Sequence, residues 1–117
     1  MKVIKRYIDA IKQELEFHVG QNAEDNEQIL RDSDPTDFWF HLDGTSSAHV
    51  IAKIPETLSL DKKELQKVLK QGAVICKEVS KLKSQKNVKI VFGSVEDVTL
   101  TETVGCVEIG KAKYITI

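Results

Sequence analysis

The stretch from Asp61 to Leu82 constrains this chain more than any other. Asp61 and Glu64 form a capping box, and Leu60 and Leu65 hold the flanking staple positions, so a helix begins here. Leu65, Val68, Leu69, Gly72, Ile75, Cys76, Val79 and Leu82 then recur at helical spacing and make one apolar stripe that must be covered. Gly72, in mid-stripe, costs the helix about 1 kcal/mol relative to Ala, and a glycine there predicts close approach to a sheet. Whatever else the chain does, it has to supply a surface for this helix.

Strands on both sides of the helix supply that surface. Asp37 to Leu42 alternates Phe38, Phe40 and Leu42 with Trp39 and His41, a strand with one greasy and one amphipathic face. Asp43 to Ser46 turns it, and His49 to Ile54 returns antiparallel. Val88 to Phe92 is a further strand. After a Gly93-Ser94 break and a polar stretch from Val95 to Thr103, Val104 to Ile109 and Lys113 to Ile117 read as two more, turned at Gly110 to Ala112. At the amino end, Val3 to Ile8 and Leu15 to Val19 read as a strand pair, although Ile4, Ile8, Ile11 and Leu15 also fit one amphipathic helix. Asn22 is placed to cap a short helix that runs to about Arg31, with Pro35 closing it. The expected class is α+β: a mixed, mostly antiparallel sheet of about six strands with one long and one short helix in two layers.

At 117 residues the chain is sized for a single domain, 1–117. Its hydrophobic fraction of 41% and charged fraction of 30% are those of an ordinary globular protein. No apolar run approaches the roughly 20 residues that span a bilayer, and Met1 to Asp9 lacks the features of a secretory signal. A cytoplasmic location without membrane association is expected. Cys76 and Cys106 lie far apart with no ligand spacing around either, and both read as small buried apolar residues.

The net charge of -1 conceals a segregation. From Asp61 to Lys89 there are nine lysines and three acids, and the remainder of the chain is correspondingly acidic. Lys63, Lys67, Lys70, Lys77 and Lys81 fall within an arc of about 80° opposite the apolar stripe, a ridge roughly 27 Å long. Such a ridge can follow the phosphates of a nucleic acid, or it can be the ordinary solvent face of a helix.

The segment from Asp37 to His49 holds the only tryptophan and two of the three histidines. Trp39, His41, His49 and the serines between them suit base stacking and hydrogen bonding to RNA. They equally suit a packed hairpin. A metal site or a hydrolase built on His41, Asp43 and His49 would need those side chains to converge, yet their spacing matches no common zinc pattern. No cofactor is implied.

Read in order, Gly20-Gln-Asn-Ala-Glu-Asp-Asn26, Asp37-Phe-Trp-Phe-His41 and Ser47-Ala-His49-Val-Ile-Ala-Lys53, followed by the long helix, resemble the NFACT RNA-binding (NFACT-R) domain. The form of the third segment is similar to that of stand-alone eukaryotic members named as coiled-coil-domain-containing proteins. The resemblance implies a strand pair at the amino end. It also implies a non-catalytic nucleic-acid-binding module for tRNA or ribosomal RNA, linked to translation and ribosome quality control, with a ribosomal or other protein as a further partner. An adaptor that docks the same hairpin onto a protein is the alternative reading, and a metal-dependent hydrolase ranks behind it. Residue by residue, Asn22 and Asn26 match the first motif, Trp39 and His41 the second, and Ser47, His49 and Lys53 the third. With the ridge lysines, these are the expected nucleic-acid-binding residues. Gln21 replaces a basic residue often found there and Ala48 a small polar one, which removes two phosphate contacts. Tailing of nascent chains is not implied, because the coiled-coil arm and amino-terminal domain of the longer relatives are lacking here.

Overall fold

The computed structural model describes residues 1–117. The helix expected at Asp61 is α2, Lys62–Glu78, and both halves of its capping box are made. Glu64 N donates to Asp61 Oδ1 at 2.8 Å and Asp61 N donates to Glu64 Oε1 at 2.9 Å. Val68, Leu69, Gly72, Ala73, Ile75 and Cys76 form its buried face. The helix stops at Glu78, short of Leu82, where Ser80 Oγ takes the carbonyl of Lys77 at 2.7 Å. Lys81 therefore lies in the following loop and not on the helical ridge.

The surface that covers α2 is a six-stranded sheet. Its strands are β1 (Lys2–Ile8), β2 (Gln13–Val19), β3 (Phe38–Leu42), β4 (Val50–Ala52), β5 (Lys89–Ser94) and β8 (Lys113–Thr116). They lie in the order β1-β2-β4-β3-β5-β8, and every neighbouring pair is antiparallel. The fold class is α+β, as expected. At the amino end the strand pair prevails over the helix because Leu15, Phe17 and Val19 alternate with Glu14, Glu16 and His18 and are buried on one face. A short 3-10 turn, Asp9–Ile11, ends at Lys12 in the left-handed region and reverses the chain.

Phe17, Phe40, Leu42, Ile90 and Phe92 point towards α2 and form the main core with it. Gly72 sits directly over β3, where an added Cβ would stand 2.3 Å from Phe40 Cζ, so the close approach expected from the sequence is made to that ring. Trp39, Ile51 and Val91 point the other way. There they meet Ile29 and Leu30 of α1 (Ala23–Arg31), Val95, and a small two-stranded sheet of β6 (Val98–Leu100) and β7 (Val107–Ile109). The second face is thus covered as well, by a layer that the sequence pattern did not indicate.

One expected pairing is corrected. The strands around Gly110 do not form a hairpin with each other: β7 pairs with β6, and β8 pairs with β5. Gly93 explains the split, since it clears room for Ile109 Cδ1, which lies 2.7 Å from where a Cβ would stand. The stretch read as polar, Val95 to Thr103, contributes β6, whose Val98 and Leu100 pack on the second cluster.

Gly72→Ala tests the α2–sheet contact. Alanine favours a helix by about 1 kcal/mol, yet the new methyl must displace the buried Phe40 ring, an overpacking that costs about 1–3 kcal/mol. Urea unfolding should show net destabilisation, and Phe40→Leu in the same chain should recover part of it.

Candidate nucleic-acid interface

Three segments wall a cleft of about 750 Å³ on the sheet face opposite α2: residues 20–26, residues 44–49 and residues 104–107, with Trp39 and His41 in its floor. The sequence motifs supply the first two walls. Asn22 caps α1, its Oδ1 accepting from Asp25 N at 2.8 Å. Asn26 Oδ1 accepts from His49 N at 3.1 Å, and Gly20 N donates to His49 O at 3.0 Å, so the main chain of His49 is clamped between α1 and its leader. A Cβ at Gly20 would lie 2.0 Å from Asn26 Oδ1, which explains why a glycine precedes this helix. The third wall carried no recognised motif. Gly105, in the left-handed region, lies against Ala23 and closes the cleft with a contact no side chain would allow.

The side chain of His49 is also clamped. Trp39 Nε1 donates to its Nδ1 at 3.1 Å, and since an indole N–H can only donate, that nitrogen is unprotonated and the imidazole proton sits on Nε2. His49 is 4% exposed, its Nε2 has no protein partner, and no fully buried polar side-chain atom lacks one. Nε2 therefore reaches the space of the cleft as a donor. His41 stacks parallel to Trp39 at 5.7 Å and meets His49 edge-on at 4.9 Å, with its Nδ1 held by the carbonyl of Leu42 at 2.6 Å.

Burial pushes the His49 imidazole down to about 4, with the neighbouring His41 adding in the same direction. Burial also lowers His41, against the opposing pull of the Leu42 carbonyl and Asp43. At neutral pH the pair is uncharged and offers hydrogen bonds without a cationic field. No group of three or more His, Cys, Asp or Glu side chains is placed to hold a metal ion.

The other expected site residues are distributed unevenly. Trp39 is 3% exposed, so its ring is a floor and a donor to His49 with no open face for a stacked base. Ser47 Oγ is used within the hairpin, accepting from Leu42 N and donating to Ala48 O, both at 3.1 Å. Lys53 pairs with the buried Asp37 and with Asp34 at 3.3 Å. Asp37 in turn accepts from Ile54 N and Asp34 N, so this lysine closes a carboxylate cluster that ties β4 to the turn before β3. Lys63, Lys67 and Lys70 are exposed on the outer side of α2, and the sheet separates them from the cleft. Lys77 is half-buried and donates to the main-chain oxygen of Ile117 at 3.1 Å. One expectation fails outright: Cys106 is exposed at the rim of the cleft, whereas Cys76 lies on the buried face of α2 with its thiol pushed up to about 12 by burial.

The depressed His49 value makes stability depend on pH. Between its ordinary value of 6.5 and about 4, the unfolded chain takes up a proton that the folded chain refuses, so stability is full above pH 6.5 and falls as pH drops through this window. The fall from this group is on the order of 3 kcal/mol. Protonation at Nδ1 would set a donor against the Trp39 N–H. Urea unfolding between pH 7.5 and 4 should show the decline, and His49→Gln, which keeps an acceptor for the indole, should shrink it. An equal decline in both proteins would contradict this assignment.

Comparison with known proteins gives the geometry a family. The chain is similar to coiled-coil domain-containing protein 25 of Danio rerio, at 36% identity over 45 residues, which is 38% of this chain and 22% of that protein. It also matches the fold of the C-terminal part of the fibronectin/fibrinogen-binding protein from Streptococcus suis, with a TM-score of 0.76 at 17% identity over 97% of this chain and 44% of that one. The chain thus spans less than half of each of these relatives. No helix is long and apolar enough to cross a membrane. The family model for the NFACT protein RNA binding domain matches residues 7–113, from β1 to the start of β8. The chain belongs to the NFACT RNA-binding domain family, and its general role is nucleic-acid binding.

Proposed function

We propose that residues 1–117 form a cytoplasmic, non-catalytic module that binds structured RNA, tRNA or ribosomal RNA, in the service of translation or ribosome quality control. The observation that carries this reading is the unpartnered Nε2–H of the buried His49, aimed into a cleft of nucleotide size. Beside it, the first N–H groups of α1 lie open: Asp25 N and Asn26 N are satisfied by Asn22, which leaves those of Ala23 and Glu24. A base or ribose supplies the acceptors such donors require. A phosphate fits less well, because Glu24 and Asp25 occupy the first turn of α1.

In this reading Asn22 and Asn26 hold the cleft, while His41 and His49 contact the RNA. Trp39 and Ser47 fix the hairpin, and Lys53 sets the angle of β4. Lys63, Lys67 and Lys70 meet phosphates on the far side, while Lys77 is tied to the main chain of Ile117 at the end of α2 and Lys81 adds its charge from the loop that follows. The domain measures 38 × 31 × 26 Å, so a folded RNA larger than the protein reaches both sides at once.

An electrophoretic shift assay with tRNA, ribosomal RNA fragments and DNA across a salt series tests this. Structured RNA should bind, His41→Ala should weaken it by about 1 kcal/mol with an unchanged salt slope, and Lys63/Lys67/Lys70→Glu should flatten the slope by about 3. Absence of RNA binding at low salt would overturn the reading. The rival, an adaptor that docks the same hairpin onto a ribosomal protein, predicts instead a pull-down that survives nuclease treatment.

A further inference from the structure

A second exposed surface adjoins the cleft. The register across the sheet places His41 opposite Val91 and Val91 opposite Tyr114, so all three lie in one row on the face away from α2; Val91 is buried in the second cluster, and the exposed side chain between the cleft and Tyr114 is Lys89. Two strand spacings separate His41 from Tyr114, about 10 Å. Tyr114 is 51% exposed, although it stands in a strand whose other face packs into the core through Ile115. Lys89, on the same face two residues before Val91, holds its Nζ 4.4 Å from the centre of the Tyr114 ring. The ring thus carries a cation over one face while half of the residue's surface remains exposed.

The charges around this ledge have a direction. On the other side α1, which lines the cleft through Ala23 and Asn26, carries Glu24 and Asp25 in its first turn, Asp25 being paired with the amino group of Met1 at 2.9 Å. On the near side, the loop that leads into Lys89 carries Lys81, Lys83 and Lys86, all exposed and none in an ion pair. Asp43 lies at the junction, 3.9 Å from Lys89. A polyanion seated in the cleft is repelled on one side and drawn along the other.

We propose that a single-stranded segment of RNA leaves the cleft across β5, stacks a base on Tyr114, and passes its backbone over Lys89 to Lys86, Lys83 and Lys81. This rests on the RNA-binding reading above and extends it. The ledge answers a problem that reading leaves open, since it joins the cleft on one face of the sheet to the end of α2 on the other. An aromatic ring flanked by lysines accepts any base, so the ledge contributes affinity for unpaired RNA with little sequence preference. An acidic protein segment would use the lysines but has no use for the open ring.

Fluorescence polarisation with a labelled single-stranded 12-nucleotide RNA tests the path. Tyr114→Ala should weaken binding about 5- to 100-fold, and Tyr114→Phe, which keeps the stacking face, should stay within about 2-fold of the parent. Lys83/Lys86/Lys89→Ala should flatten the salt slope by about 2. Tyr114 is peripheral to the core, and an unchanged melting curve for Tyr114→Ala would exclude unfolding as the cause. If the parent binds and Tyr114→Ala binds equally well, the ledge is overturned and the cleft stands. If the parent fails to bind single-stranded or structured RNA, the RNA-binding reading itself falls. Competition by a glutamate 12-mer as effective as that by unlabelled RNA would assign the lysines to an acidic protein segment and overturn the stacking proposal.

Discussion

His49 is the residue on which the cleft depends, because three separate elements hold it. Its main chain is bonded to Asn26 of α1 and to Gly20 before that helix, and its ring accepts from Trp39 of β3. Each bond satisfies a buried polar group that would otherwise cost about 1–3 kcal/mol. Together they leave one imidazole nitrogen with nothing in the protein to bind. Burial keeps the ring neutral, with His41 acting in the same direction, and a proton on Nδ1 would set a second donor against the indole N–H. A rigid, uncharged donor is what a base or sugar edge requires, whereas a phosphate would favour a cation.

The sheet divides the chemistry of the molecule. Towards α2 it is greasy and tightly packed, as the contact of Gly72 with Phe40 requires. Away from α2 it is polar where the cleft opens and apolar where α1 and the β6–β7 pair cover it. Basic charge gathers along α2 and the loop behind it, and acidic charge on α1. A nearly neutral protein thereby presents a directional field, and in the proposed reading counterion release on its basic side adds to affinity without specificity. In that reading, specific contact is left to the uncharged cleft.

Much of this was legible in the residues, and the limits have physical causes. The start of α2 was readable because a capping box and staple are local, and the role of Gly72 because a glycine at mid-stripe has few explanations. The alternation around Trp39 showed two faces of a strand. It did not show which face would meet the longer helix, nor that Trp39 would be buried on the other by α1 and Val95. Pairing between β6 and β7 was hidden since each strand is three residues long and its partner is chosen by packing over Gly93. The fate of Cys106 followed from that error. Lys53 stood in the motif as a basic residue, and only the fold brings Asp37 and Asp34 to neutralise it. The straight ridge of lysines was an extrapolation of helical geometry past Glu78, where Ser80 and the loop end it.

The central claim is that the cleft around His49 receives the RNA. A 1H–15N correlation titration of the whole chain with tRNA or a ribosomal RNA fragment reads every wall at once. The account predicts that the Trp39 indole N–H, the His49 amide and residues 20–26 and 104–107 shift together and saturate with one affinity. Shifts confined to Lys63–Lys70 on the outer side of α2, with the Trp39 and His49 signals unmoved, would contradict it.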